Sequence, residues 1–166
     1  MNFYKKVIVI FFLLALMRLI PHAPNFTSSI ALAFYIPMFF GSALIPIVVF
    51  SYVFTDFYYG FHNTIFFTWG SLLVIGIFAR WIKNNIAFRI FGSLTSAIIF
   101  FIISNFGVWI SGLYGLDFTG LLKCYILAIP FFVNTFVSTL LFTVIIELGI
   151  YLYTSNKVRI RSLLKL

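Results

Sequence analysis

Ile90-Phe91-Gly92-Ser93-Leu94-Thr95-Ser96-Ala97-Ile98-Ile99-Phe100-Phe101-Ile102-Ile103-Ser104-Asn105-Phe106-Gly107-Val108-Trp109-Ile110 contains no ionisable side chain. A helix needs about 20 apolar residues to cross a hydrocarbon core roughly 30 Å thick, and this stretch has that length and character. On its N-terminal side lies a basic segment, residues 83–89, with Lys83 and Arg89. On its C-terminal side lies residues 111–119, with Gly112 and Gly115, which reads as a loop. Lys and Arg at one end and glycine turns at the other are the marks of a membrane helix with a definite orientation.

The rest of the chain repeats the pattern. Of 166 residues, 63% are hydrophobic and 8% charged. A soluble domain carries roughly a quarter charged residues, so this composition excludes one. Long continuous apolar runs, without strict alternation, favour helices over a membrane β-barrel. The predicted spans are residues 3–20, 28–40, 43–57, 64–82, 90–110 and 120–153. The second is short. The sixth is too long for one straight crossing and is expected to kink at Pro130. The expected fold is an all-α membrane protein, a bundle of about six transmembrane helices forming one domain over 1–166. The first segment resembles a signal sequence, but no A-x-A site follows Met17, and it is read as helix 1.

Charge supplies the topology. With six spans, Lys5, Lys6, Arg80, Lys83, Arg89, Lys157, Arg159, Arg161 and Lys165 share one side, which is 9 of the 11 basic residues. Arg18 and Lys123 are on the other. The positive-inside rule then puts both termini in the cytoplasm and the protein in a bacterial inner (cytoplasmic) membrane. The net charge of +8 is therefore topological, and nucleic acid is not an expected partner. The basic tail, residues 157–166, is expected to touch anionic membrane lipid.

Costly polar groups gather on the outer side. Arg18, His22 and Asn25 flank the loop between helices 1 and 2. Asp56 and His62 flank the next outer loop. Asn105 and Trp109 are four residues apart on one face of helix 5, and Asn134 is one turn beyond Pro130. Ionisable groups at membrane depth usually face the bundle interior or a wet cavity, so these eight residues are the candidate substrate-binding set. Arg18 and Asp56 either pair with each other or share a ligand. Trp109 fits either a ligand stack or an interfacial aromatic belt. His22 and His62 lack a third ligand, and no metal or other cofactor is expected. Cys124 is the sole cysteine, so no internal disulfide forms. Thr135, Thr139, Thr143 and Glu147 form a polar stripe on helix 6. Glu147 reads as a salt-bridge partner of Lys157 or Arg159, or as a proton-coupling group. No Walker A, G-x-S-x-G or H-E-x-x-H motif occurs, and an enzyme is not expected.

Arg18-Leu19-Ile20-Pro21-His22-Ala23-Pro24-Asn25-Phe26-Thr27, the Asp56…Gly60…His62 segment, Ser104-Asn105-Phe106-Gly107-Val108-Trp109 and Cys124-Tyr125…Ile129-Pro130-Phe131-Phe132…Asn134-Thr135 resemble an uncharacterised family of small bacterial multi-pass membrane proteins. In size, helix number and topology that family is similar to the substrate-binding S components of energy-coupling-factor transporters. The resemblance implies a capture subunit that binds a small molecule, a vitamin or precursor, near the outer face. It also implies a coupling subunit and ATPases as partners. One departure stands out: S components often dock through two small residues four apart on helix 1, whereas Ala15 here is flanked at that spacing by Phe11 and Leu19. The alternatives are a structural or accessory subunit of a larger membrane complex, and an ion-coupled carrier using Glu147.

Overall fold

The computed structural model describes residues 2–163, with side-chain surroundings for residues 2–155. Among the described residues it is an all-α bundle of six helices: α1 (Phe3–Leu19), α2 (Ser29–Phe40), α3 (Ile45–Tyr59), α4 (Ile65–Ala79), α5 (Ile86–Ile110) and α6 (Phe118–Leu163). A single 3-10 turn, Ser42–Leu44, joins α2 to α3. Three helical stretches, Ser42–Tyr59, Ile86–Ile110 and Phe118–Ser155, are long and apolar enough to cross a membrane.

The breaks between helices follow from local chemistry. Gly41 and Gly60 adopt φ of 98° and 91°, a region that only glycine enters without strain, and each ends a helix. Pro46 occupies the first turn of α3, where its missing N–H costs nothing. Asn85 caps α5 by accepting the Ala87 amide at 2.9 Å. That cap starts α5 four residues before the expected position, so Arg89 is on the helix and not in a loop. Asp117 caps α6 through the Gly120 amide at 2.6 Å. The sixth helix then continues through Pro130 to Leu163, ten residues beyond the expected end.

The centre of the bundle is α2. Eight of its residues are buried, from Ser29 to Pro37, and it packs against α4, α5 and α6 as well as α1 and α3. At 1.5 Å per residue a helix of this length spans only about 18 Å, less than a hydrocarbon core. It is enclosed by the other helices. Small residues on α5 make room for it: a Cβ on Gly92 would lie 2.6 Å from Cζ of Phe34. Gly92, Ser93, Ser96 and Ala97, the small-residue face expected to allow close helix contact, are all buried. The remaining close packing joins α1 to α3, α4 to α5 and α5 to α6.

The interior combines an apolar core around Phe34, Leu44, Val48, Leu72 and Ile75 with a set of buried polar residues, while the exterior is apolar. Ser51, Thr55, Asp56, Ser71, Ser93, Ser96, Ser138, Thr139, Thr143 and Glu147 are buried. Phe12, Leu16, Phe50, Phe54, Phe57, Phe91, Ile102, Ile145 and Leu148 are exposed on the outer surfaces of the long helices. Apolar exposure of this extent suits a lipid surround, not water.

Candidate functional site

At the end of the bundle where α1, α3 and α5 terminate, all six helices border a cavity of about 730 Å³. The last turn of α1 contributes Arg18, and the loop after it contributes His22, Asn25 and Thr27. Ile30 lines it from α2, Tyr52 and Tyr59 from α3, His62 and Thr64 from the loop before α4, and Thr68 from the first turn of α4. Phe101, Ser104 and Asn105 face it from α5, and Phe131, Phe132 and Thr135 from α6. The lining mixes aromatic rings and polar side chains in about equal measure, and the volume is in the range of small-molecule sites.

Arg18 is the most heavily engaged side chain at the cavity. Its Nη2 meets Oδ1 of Asp56 at 2.6 Å. Its Nη1 donates to the Tyr52 carbonyl at 3.0 Å and to the Thr55 hydroxyl. The guanidinium carbon is 4.1 Å from the centre of the Tyr52 ring, a cation–π contact. Asp56 is 1% exposed, and its second oxygen accepts the Trp69 indole N–H at 2.7 Å. Burying a carboxylate this deeply is tolerable because a charged partner and a strong donor both meet it. Asp56 thus stands behind Arg18 and does not itself line the cavity.

The eight residues expected to form one site separate into groups. Arg18, His22, Asn25, His62 and Asn105 border the cavity. Asn105 donates to the Phe101 carbonyl of its own helix at 2.8 Å. The imidazoles of His22 and His62 make local contacts, to the Ala23 carbonyl and the Thr64 hydroxyl, each at 2.9 Å. Asn25 has φ of 61°, the left-handed conformation that Asn tolerates better than most residues. Asn134 is outside the cavity, but its amide donates to the Pro24 carbonyl at 3.0 Å and so ties α6 to the 21–27 wall. Trp109 is directed elsewhere: its indole donates to the Asp117 carbonyl at 3.3 Å, bracing the α5–α6 loop. A four-residue spacing places two side chains on one face, yet 40° of drift and a neighbouring loop suffice to part them.

Sequence reading missed Tyr52 and Tyr59, which support Arg18, the latter through a hydrogen bond from its hydroxyl to the Arg18 carbonyl at 3.0 Å. It also missed Trp69. These residues lack a signal of their own among nine tyrosines and three tryptophans.

A second polar cluster lies toward the opposite end. Glu147 is held by Arg89, with Nε on Oε1 at 2.7 Å and Nη2 on Oε2 at 2.5 Å, and by the Tyr35 hydroxyl at 2.7 Å. The expected partners Lys157 and Arg159 lie outside the residues whose side chains are described. The threonine stripe leads into this cluster: Thr135 and Thr139 bond carbonyls of their own helix, whereas Thr143 crosses to Ser93 at 2.7 Å. Among the described residues no group of three His, Cys, Asp or Glu side chains is placed to hold a metal ion.

A small all-helical bundle with an apolar exterior and, among the described residues, three helices long and apolar enough to cross a membrane is consistent with a multi-pass membrane protein. The chain belongs to a family described as "Family of unknown function (DUF6580)", whose model matches residues 2–162. No curated protein and no solved structure matches it.

Proposed function

We propose that this protein is a substrate-capture subunit of the bacterial inner membrane, similar in role to S components. In this reading the whole chain is one transmembrane domain and all six helices cross, with α6 bent at Pro130. Both termini are cytoplasmic and the cavity opens to the outer face. The ligand is a small, vitamin-like molecule captured for uptake. A coupling subunit with ATPases, or another membrane complex, supplies the driving force, since the sequence carries no nucleotide motif.

The observation that supports this reading is the cavity. Arg18, His22, Asn25, His62 and Asn105 come from three stretches of the chain and border one concave space. Such convergence is expected of a site and is costly in a chain that otherwise excludes polarity from its surface. The contacts of Glu147 with Arg89 and Tyr35 favour its salt-bridge reading over the carrier reading.

Native mass spectrometry of protein released gently from its own membrane tests the proposal. The expected result is a bound small molecule that is lost when Asn105→Leu and His62→Leu are combined. A stoichiometric partner protein with no small molecule would replace the capture reading with the accessory-subunit reading.

A further inference from the structure

The ion pair at the cavity is already complete. Arg18 meets Asp56 at 2.6 Å, and its other amino group is taken by the Tyr52 carbonyl and the Thr55 hydroxyl. The second oxygen of Asp56 accepts the Trp69 indole N–H at 2.7 Å. Among the described residues, no further Asp, Glu, Lys or Arg borders the cavity. A charged ligand would leave water with no unspent opposite charge to meet it, which is costly in a partly buried site.

The two sides of the cavity differ. α1 packs on α3 and α5 packs on α6, with at most slight contact between the two pairs, and the cavity lies between them. All three polar side chains that line the α5–α6 side bond their own helix. The Ser104 hydroxyl donates to the Phe100 carbonyl at 2.7 Å, the Asn105 amide to that of Phe101 at 2.8 Å, and the Thr135 hydroxyl to that of Phe131 at 3.0 Å. What this side has left to offer is mainly the rings of Phe100, Phe101, Phe131 and Phe132.

The side built by α1, α3 and their loops offers hydrogen bonds of both kinds. His22 gives its Nδ1–H to the Ala23 carbonyl, so in the neutral ring Nε2 is left as an acceptor. His62 and Thr64 share one hydrogen bond through Nδ1, which leaves Nε2 of His62 free. The Tyr58 hydroxyl and the Asn25 amide, each a donor and an acceptor, make no side-chain hydrogen bond among the described residues.

We propose that the cavity takes an uncharged molecule with a flat apolar body and one edge that both donates and accepts hydrogen bonds. The body rests against the phenylalanines of α5 and α6, and the edge meets His22, Tyr58 and His62. The proposal deepens the capture reading and rests on it.

The test uses full-length protein in phosphatidylcholine nanodiscs at about pH 8, where an ordinary imidazole is neutral. Three probes share one indole body: indole-3-ethanol is neutral, indole-3-acetate anionic and tryptamine cationic. Empty nanodiscs correct for partition into lipid. Molecules carried from the native membrane are identified alongside by exact mass and fragmentation. One variant is Ser104→Phe, which narrows the cavity without removing a bond between helices. The other is Phe131→Ala, at an exposed position, and melting transitions check that both fold. The expected result is indole-3-ethanol bound about tenfold or more tightly than either charged probe, and weakened about tenfold in a folded variant. A carried neutral molecule that a folded variant loses supports the proposal in the same way. A charged probe bound as tightly as the neutral one, or a carried ionic molecule other than a lipid, overturns the neutral-ligand proposal and leaves the capture reading standing. Binding that both folded variants leave unchanged lies outside the cavity and overturns the proposal too. A carried phospholipid that a folded variant loses makes the cavity a lipid site and overturns both readings. No probe binding and no carried molecule also overturns both.

Discussion

Arg89 and Glu147, 58 positions apart in the chain, close a two-pronged ion pair that joins α5 to α6. Both side chains are largely buried, 12% and 7% exposed. Tyr35 reaches the same carboxylate from α2, so three helices meet at one acid. The pair fits planar fork geometry, which Arg supplies and Lys does not.

Removing one member of this pair should leave a buried, unbalanced charge. Glu147→Ala or Arg89→Ala is expected to cost about 3–5 kcal/mol, and Arg89→Met/Glu147→Leu distinctly less. Reversible denaturation in mixed micelles measures the difference. A double variant as unstable as the sum of the singles would mean that the two residues do not stabilise each other.

The Arg18–Asp56 pair at the cavity should be coupled as well. Arg18→Gln and Asp56→Asn are each expected to destabilise the bundle more than their combination does. A double-mutant cycle should return an interaction of about 1 kcal/mol or more. Additive effects would contradict the 2.6 Å contact.

Gly92 should resist enlargement. A methyl group there would lie 2.6 Å from the ring of Phe34, which is fully buried and has no space to retreat. Gly92→Ala is expected to cost about 1–3 kcal/mol by overpacking, and Phe34→Leu to recover part of it. Gly70, with nothing within 4 Å of a built Cβ, serves as the control: Gly70→Ala should be neutral or stabilising.

Reporter fusions at Asn84 and after Leu166 are expected to report the cytoplasm, and fusions at Asn63 and Gly115 the outer side. The motive is the division of basic residues, 9 on one side against 2 on the other. An outer signal from Asn84 would break the six-crossing topology.

The sequence by itself determined the helical class and the number of helices, because hydrocarbon leaves a backbone few options and long apolar runs show which one is taken. Its spans left breaks between residues 40 and 43 and between 57 and 64, where Gly41 and Gly60 supply the backbone freedom, and it offered an Arg18–Asp56 pair as one reading because both are charged, isolated and on the same side. Only the tertiary structure decided that α2 is central. A short apolar helix looks the same whether lipid or protein surrounds it. The choice of Arg89 for Glu147 was likewise tertiary, since Arg89 read as part of a basic loop until the Asn85 cap drew it onto α5. Trp109 and Asn134 turned away from the cavity for the same reason. A spacing specifies a face of one helix, but what that face meets depends on how its neighbours pack, and no local pattern records that.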